Sequence, residues 1–449
     1  MRAPLLVIAL AGALAGVATP ASAATAASAA TAASAPFDLR SEPAIEVGLA
    51  WDLDSLRLEV PAGAGIELAP SGRKLAQRGG PLPLEVVLAP ARPNAAPAGG
   101  PSSPGEARYQ LGSGSSATRG KLGPADTLIA EGPHVGESGH EWRWAGRSWR
   151  GQFKIFLNPR GQLTLAARLE LETYLLGVVP GEIGALDPSY IEAGKAQAVA
   201  ARSYTLFYRG RRASEGFDLY GTVEDQFYGS IESERPLATK CVEETRGKIA
   251  MWQGQPIRAN YCSTCGGITA EVWEAWPADP LPYLSSHPDR ADSDWCAASP
   301  QYRWSEVWPA AEFMANVERF SPAQNLAAPA GGLGDLVDVR IEARSRSGRV
   351  WRLVIVGTRA QMEIPAYSIR QVLRRGGNPG AILRSNLFKI DVRREAGSGR
   401  ALSVEASGAG SGHGVGLCQT GALGMARAGR SAEQILAHYY SGTTIERRY

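Results

Sequence analysis

The residue best suited to general acid–base chemistry is Glu182. It follows the uncharged run Leu175-Leu176-Gly177-Val178-Val179-Pro180-Gly181 and lies between two glycine-containing turns, just before a predicted helix. An apolar setting raises the pKa of a carboxyl group, so that one group can donate a proton and later recover it. The alternative is a structural carboxylate near a helix start, where the helix dipole favours negative charge. The residues alone leave both interpretations open.

A second residue that could take part in catalysis or binding is His413, which lies in a glycine-framed loop. Three glycines within residues 412–416 permit backbone conformations that are closed to other residues. A helix is predicted to begin near Leu417, and the free N–H groups of a helix start can bind an anion. A lone histidine is more often structural than catalytic, so the loop pattern does not decide the role of His413 or of the neighbouring Gln419.

Four of the five cysteines could be bonded to one another or to a metal; they are Cys262, Cys265, Cys296 and Cys418. In an oxidising compartment they could form two disulfides. They could equally complete a four-thiolate zinc site with His287 as a spare ligand, or stay free. A thioredoxin-like redox role is the weakest option, because the CxxC opens no helix. Cys241, in a predicted helix over 237–245, is expected to be a buried free thiol.

The helix predicted over Ser189–Tyr208 carries polar residues on two sides. At about 100° per residue, Lys195 and Arg202 fall on one side, whereas Gln197 and Tyr204 fall on the opposite side. Alanines between them leave little bulk, so other elements can approach closely. We therefore predict a mostly buried helix whose polar groups need partners.

The N-terminus has the features of an exported protein. Residues 1–23 combine a basic start, the apolar run Leu5–Val17 and the small-residue site Ala21-Ser22-Ala23, which predicts a removed signal peptide. A retained anchor is the alternative, but the run is shorter than the ~20 residues that span a bilayer. Residues 24–35 are expected to be a flexible spacer. We expect the mature chain in the periplasm, in the cell envelope or outside the cell.

Strand patterns dominate the rest of the chain. Residues 36–140 are predicted to be a strand-rich N-terminal region with a Pro/Gly/Ser-rich insertion at 92–118. A hairpin is predicted around residues 158–161, and strand patterns return at Val337–Ala343 and Val350–Val356. Helices and strands do not alternate regularly. We therefore predict an α+β fold, a strand-rich body with a few helices and long loops around a cleft.

Composition excludes some classes of protein. A hydrophobic fraction of 44% with 20% charged residues is typical of a globular protein. The formal charge of +3 comes from 47 basic and 44 acidic residues spread along the chain, which does not point to a nucleic-acid partner. No second apolar stretch of spanning length follows the first, so no stable membrane span is expected after signal cleavage.

Five blocks resemble, in order, the signature of the SpoIID/LytB family; they are Leu171–Glu182, Lys195–Tyr204, Gln226–Gly229, Cys262–Gly267 and His413–Ala422. The resemblance covers residues 141–449, which are predicted to be the family's catalytic domain. It implies a peptidoglycan lytic transglycosylase that acts in cell-wall remodelling. Such an enzyme cleaves glycan strands stripped of stem peptides and leaves anhydromuramic acid ends.

The resemblance also assigns roles. The muramic acid's own 6-hydroxyl attacks, so the reaction needs one carboxyl group, and Glu182 matches the family's motif glutamate. We expect the other polar motif residues to bind substrate or to orient Glu182; they are Lys195, Gln197, Arg202, Tyr204, Gln226, Tyr228, Ser263, His413 and Gln419. The alternative for Lys195 and Arg202 is that they lie on a solvated cationic face of the helix and have no role in the site.

Partners and cofactors follow the same resemblance. The chemistry requires no cofactor, and a structural zinc ion is possible. Zinc is known in the family, but its ligand pattern does not match these cysteines. Because family members are linked to amidase enhancement, the alternative function is a non-catalytic wall-binding module that recruits or activates an amidase.

Overall fold

The structure, a computed structural model, describes residues 37–75, 81–89, 105–130, 141–327 and 329–449. The predicted signal peptide, the predicted spacer and residues 92–104 of the predicted insertion lie outside the described residues. Strands and a smaller number of helices make up the described chain, which confirms the α+β expectation.

The elements follow one another in long runs of strands and short runs of helices. The first twelve strands are β1 (Ala44–Leu53), β2 (Ser55–Val60), β3 (Ile66–Ala69), β4 (Arg73–Leu75), β5 (Leu82–Leu88), β6 (Ala107–Leu111), β7 (Thr118–Leu122), β8 (Thr127–Ala130), β9 (Trp142–Trp144), β10 (Arg147–Trp149), β11 (Gln152–Leu157) and β12 (Leu163–Glu170). The middle of the chain contains α1 (Leu171–Ile183), α2 (Ile191–Tyr208), β13 (Leu219–Tyr220), α3 (Pro236–Glu244), β14 (Lys248–Trp252), β15 (Gln255–Pro256) and β16 (Tyr261–Cys262).

The remaining elements of the described residues are ten strands and four helices. They are β17 (Arg303–Pro309), α4 (Ala310–Phe320), β18 (Leu336–Arg344), β19 (Val350–Gly357), β20 (Gln361–Pro365), α5 (Ala366–Val372), β21 (Arg374–Arg375), β22 (Asn378–Ile382), β23 (Phe388–Arg394), β24 (Ala401–Ala409), β25 (Leu417–Cys418), α6 (Gln419–Arg427), α7 (Ala432–Tyr439) and β26 (Thr444–Arg447).

Two sheets share one apolar core in the N-terminal half. The first has the order β13-β1-β12-β11-β8-β3-β4, and the second has the order β10-β9-β2-β5-β6-β7. Strand β2 shows the expected alternation, because Leu56, Leu58 and Val60 are buried while the residues between them are exposed. The predicted hairpin at 158–161 joins β11 to β12 and is confirmed. Strand β6 lies within the predicted insertion at 92–118, so that part of the prediction was wrong.

The predicted boundary between residues 140 and 141 does not separate two folding units. Strand β1 pairs with β12, β8 pairs with β11, and β2 pairs with β9. Each pair joins a strand from one side of that boundary to a strand from the other side. The N-terminal sheets therefore form part of the same body as the motif-bearing helices.

Helix α2 lies at the centre of the helical part. As predicted, it is almost wholly buried, and its alanines let α1, α3, α6, α7 and β14 pack around it. Helices α6 and α7 and strand β26 are the last elements of the chain. No described helix combines the length and the apolar character that crossing a bilayer requires.

Strands β17–β24 and helices α4 and α5 form a second body with its own apolar core. Its buried residues include Trp308, Phe313, Leu353, Ile364 and Ile369. The predicted strands at 337–343 and 350–356 are β18 and β19 of this body. The second body is inserted between the CxxC loop and the His413 loop, so residues 141–449 contain its core as well as part of the first core.

Candidate active site

Glu182 is the next-to-last residue of α1, so the expectation that it lies between two turns, outside a helix, was wrong. Pro180 lies inside α1, although a Pro-Gly pair usually marks the end of a helix. The carboxylate therefore lies at the negative pole of the helix dipole, which disfavours its ionised form. The alternative of a carboxylate stabilised at a helix start is excluded by this placement.

Two glycines bring the loop at residues 226–229 onto α1. A Cβ at Gly177 would lie 2.5 Å from the carbonyl oxygen of Gly229, and a Cβ at Gly181 would lie 2.5 Å from the ring of Phe227. A side chain at Gly177 would require the loop backbone to move, and one at Gly181 would displace the Phe227 ring. The glycines of the α1 motif therefore serve close packing, and this packing brings the backbone of Phe227 to Glu182.

The Glu182 carboxylate is held at both oxygens. Oε1 accepts a hydrogen bond from the Phe227 N–H at 2.9 Å, and Oε2 accepts one from Nε2 of Gln419 at 3.2 Å. Burial raises the pKa of Glu182, and the two hydrogen bonds oppose that rise without cancelling it. No other ionised side chain of the described residues contributes to this shift. Because the side chain is only partly buried, a substrate can reach it.

A network of neutral polar groups lies beside Glu182. Nε2 of Gln226 donates to the hydroxyl of Tyr261 at 2.8 Å, and the hydroxyls of Thr205 and Tyr174 lie 2.6 and 3.4 Å from Oε1 of Gln226. Burial, with a smaller contribution from the charge of Glu182, raises the pKa of Tyr174 and of Tyr261. Both phenols therefore stay protonated and can act only as hydrogen-bonding groups.

Tyr204 and Gln197 lie on the same side of α2 as this network. The ring of Tyr204 is buried, with its centroid 6.1 Å from that of Tyr261. The amide of Gln197 is fully buried and has no hydrogen-bond partner among the described residues. One turn further along α2, the carbonyl of Ala201 accepts a hydrogen bond from Gln226 at 3.3 Å.

His413 lies in a wall of aromatic and cationic residues. Its ring centroid is 4.7 Å from that of Trp276, and the guanidinium of Arg258 lies 4.9 Å from the Trp276 ring. Burial, assisted by three arginines, lowers the pKa of His413 to about 3. The ring is therefore neutral near pH 7, and its Nδ1 accepts a hydrogen bond from the Val415 N–H at 3.0 Å. No described contact joins His413 directly to Glu182.

The expectation that Lys195 or Arg202 orients Glu182 was wrong. The ammonium of Lys195 forms ion pairs with Glu192 and Glu244, both at 2.8 Å. The guanidinium of Arg202 is wholly buried and forms a two-pronged ion pair with Glu172 at 2.6 and 2.9 Å. Arg202 therefore joins α2 to α1 inside the protein.

Tyr228 and Ser263 occupy different surroundings. The buried ring of Tyr228 packs between Tyr174 and Trp149, with centroid distances of 5.2 and 5.8 Å, so it is a core residue behind α1. Ser263 is exposed, and its carbonyl accepts a hydrogen bond from the N–H of Thr420 at 3.1 Å. Ser263 thus lies on the rim beside Gln419.

No disulfide joins any of the five cysteines, and Cys241 is buried as expected. Three of the four candidate cysteines converge on Asp289, which the sequence interpretation missed; they are Cys265, Cys296 and Cys418. Cys262 lies outside this group.

Other residues of the site were also missed. Tyr174 belongs to the same motif as Glu182, and Tyr261 directly precedes the CxxC pair, so a signal for both residues is present in the sequence. Arg258 and Trp276 carry no motif signal. Only the fold brings them to His413.

Two family models match parts of the chain. Residues 159–252 match the family model described as Stage II sporulation protein, and residues 292–416 match a domain of unknown function (DUF8618). The chain is 30% identical over 293 residues to Stage II sporulation protein D of Bacillus amyloliquefaciens, covering 62% of this chain and 74% of that protein. It is 28% identical over 292 residues to Stage II sporulation protein D of Bacillus subtilis, with the same coverage.

A further relative is the amidase enhancer of Bacillus subtilis. The chain is 27% identical to it over 310 residues, which are 60% of this chain and 40% of that protein.

Proposed function

Because the chain belongs to the SpoIID/LytB family, we propose that it is a peptidoglycan lytic transglycosylase with Glu182 as its acid and base. Family membership and the likeness to an amidase enhancer support a cell-wall-related role. Its substrate would be glycan strands stripped of stem peptides. This substrate lies outside the cytoplasmic membrane, in keeping with the exported location that the N-terminus predicts.

The observation that carries the proposal is the Glu182 carboxyl group, whose pKa burial raises and whose two hydrogen-bond donors are neutral. Glycosidases that use water or a covalent intermediate pair two carboxyl groups about 5–9.5 Å apart. No second carboxylate of the described residues influences the pKa of Glu182. A transglycosylase needs no second one, because the attacking hydroxyl belongs to the substrate itself.

In the proposed reaction Glu182 acts twice, first as an acid and then as a base. Protonated Glu182 donates its proton to the glycosidic oxygen, and the bond from that oxygen to the muramic acid C1 breaks. The muramic acid 6-hydroxyl attacks C1, and its proton passes to the Glu182 carboxylate. The products are a new chain end and a 1,6-anhydro ring, and no water is consumed.

The surroundings of Glu182 suit this double role. Burial favours the protonated acid that starts the reaction, whereas the Phe227 N–H and Gln419 stabilise the carboxylate that forms during it. Neutral His413 serves in binding or positioning, since its low pKa removes it as a proton donor near pH 7. Of the other motif residues, we assign Gln197, Tyr204, Gln226 and Ser263 to shaping or lining the cleft.

The test is Glu182→Gln on peptide-free glycan strands. The amide keeps the shape of a carboxyl group but cannot donate the proton, so we expect release of anhydromuramyl-ended fragments to fall by at least ~10²–10⁴-fold. The melting temperature and glycan binding should change little. Glu224→Gln is the matched control, because Glu224 is exposed two residues before Gln226, and it should retain most activity. A folded Glu182→Gln variant within a few-fold of wild type would refute the proposal.

The likeness to an amidase enhancer favours one second candidate, a wall-binding module that activates an amidase. It predicts that wild type binds glycan strands and accelerates a cell-wall amidase without releasing anhydro-ended products. In that case Glu182→Gln would leave amidase activation unchanged.

A further inference from the structure

Three thiols and one carboxylate meet in a buried group beneath α6. They are Cys265, Cys296, Cys418 and Asp289, and their ligand atoms all lie within 4.8 Å of one another. Each side chain is fully buried. The residues come from three separate segments, namely the CxxC loop, the loop at 289–296 and the start of α6. We propose that this group binds a structural zinc ion, and we call it the zinc group.

The spacing of the ligand atoms suits one tetrahedral ion. The sulfurs of Cys265 and Cys296 lie 3.8 Å apart. Zinc binds thiolates at ~2.3 Å with tetrahedral geometry, which places two ligand sulfurs ~3.8 Å apart. The thiol of Cys265 donates to Oδ2 of Asp289 at 3.0 Å, and the ion would replace that proton. Binding therefore releases three thiol protons.

Neighbouring groups orient these ligands. Oδ1 of Asp289 accepts hydrogen bonds from the Tyr439 hydroxyl at 2.8 Å and from Nε2 of His438 at 3.1 Å, which leaves Oδ2 for the ion. Backbone N–H groups also point at the sulfurs. The N–H of Cys265 lies 3.2 Å and that of Gly421 lies 3.3 Å from the sulfur of Cys418. Such outer hydrogen bonds stabilise thiolate ligands.

A buried cation beside the zinc group lacks a full set of partners. Arg349 is almost wholly buried, and its Nε and Nη1 have no hydrogen-bond partner among the described residues. Its neighbours include the thiols of Cys265 and Cys418 and the carboxylate of Glu274. Three thiolates and one carboxylate around a divalent ion carry net negative charge. The ion with its ligands would thus add to the counter-charge that Glu274 supplies to this buried guanidinium.

A disulfide explains the same residues less well. A bond between Cys265 and Cys296 would leave the thiol of Cys418 and the Asp289 carboxylate buried without their sulfur partner. Zinc uses all four groups. It also fixes the start of α6, because Cys418 directly precedes Gln419, which donates to Glu182.

The experiment measures metal content and cobalt spectra of the mature chain, purified without a polyhistidine tag. We expect one zinc per chain, and after exchange the visible bands and thiolate charge transfer of tetrahedral Co²⁺. Cys296→Ser and Asp289→Ala should lower zinc content and melting temperature, whereas Asp289→Cys should retain zinc. Cys262→Ser and Cys241→Ser are matched controls, since both thiols are buried outside the zinc group, and both should keep zinc.

Several results would overturn the assignment. Wild-type protein without zinc, with alkylatable thiols or a Cys265–Cys296 disulfide, contradicts it, as does bound iron. Zinc that survives both Cys296→Ser and Asp289→Ala contradicts the ligand set. The cobalt spectrum is recorded on wild type, so it stays informative if a variant fails to fold.

Discussion

Replacing Gln419 with leucine should move the pH range in which the protein cleaves glycan strands. Gln419 donates one of the two hydrogen bonds that stabilise ionised Glu182. Leucine has a similar size and cannot donate. The ionised form loses this support while the protonated form loses little, so the pKa of Glu182 should rise further.

The size of the shift follows from the geometry. Hydrogen bonds to charged groups contribute ~1.5–3 kcal/mol to stability. The Gln419 bond is 3.2 Å long and the Glu182 side chain is partly exposed, so the lower end applies. At 1.36 kcal/mol per pKa unit, a loss of ~1.5 kcal/mol raises the pKa by about one unit.

The assay is the pH dependence of kcat/KM for release of anhydro-ended fragments. The reaction begins with protonated Glu182, so the rate falls as the pH rises through the pKa of that carboxyl group. In Gln419→Leu this alkaline limb should lie about one pH unit higher, whatever happens to the maximal rate. Gln361→Leu, on the exposed face of β20, is the control. An alkaline limb that stays in place or moves to lower pH would refute the reasoning.

Two further predictions concern buried charge and His413. Glu172→Gln should lower the free energy of unfolding in urea by ~3–5 kcal/mol, because it leaves Arg202 buried without its counter-ion. The control Lys195→Ala removes a partly exposed ion pair and should lower the free energy of unfolding by ~1 kcal/mol or less. Equal losses of stability in the two variants would contradict this reasoning. The His413 imidazole should stay neutral from about pH 5 to 8 in NMR spectra, because burial and nearby arginines hold its pKa at about 3, and titration near pH 6.5 would contradict it.

Periodicity identified the elements whose side chains alternate or recur regularly. Strands β18 and β19 and helix α2 were predicted because each buries one face or nearly all of its length. Helix α1 was missed around Glu182, because Pro180 and two glycines resemble a break in the chain. Tertiary packing determines the structure at this point, because the two glycines allow the loop at 226–229 to pack against α1.

Only part of the chemistry of the site was predicted from the sequence. Glu182 and Gln419 belong to separate motifs, and the structure brings them into contact. Lys195 and Arg202 fall on the other side of α2 from Gln197, and sequence spacing could not show that Glu172 and Glu244 would pair with them. Asp289 lies in no recognised motif. Its proximity to three thiols depends on loops that are distant in sequence.

The position of the inserted body explains how distant motif loops can form one site. The N–H of Gly410, where the insertion ends, donates to the carbonyl of Tyr302, where it begins, at 3.2 Å. Next to that point, Thr264 and Ser411 exchange two backbone hydrogen bonds at 3.0 and 2.8 Å. Because the two ends meet, the insertion adds a body without separating the CxxC loop from the His413 loop. The insertion is more than an appendage, since Arg349 extends from it and donates to the Cys265 carbonyl at 3.0 Å. Changes in this inserted body can therefore reach the zinc group and, through Cys418, the Gln419 side chain that holds Glu182.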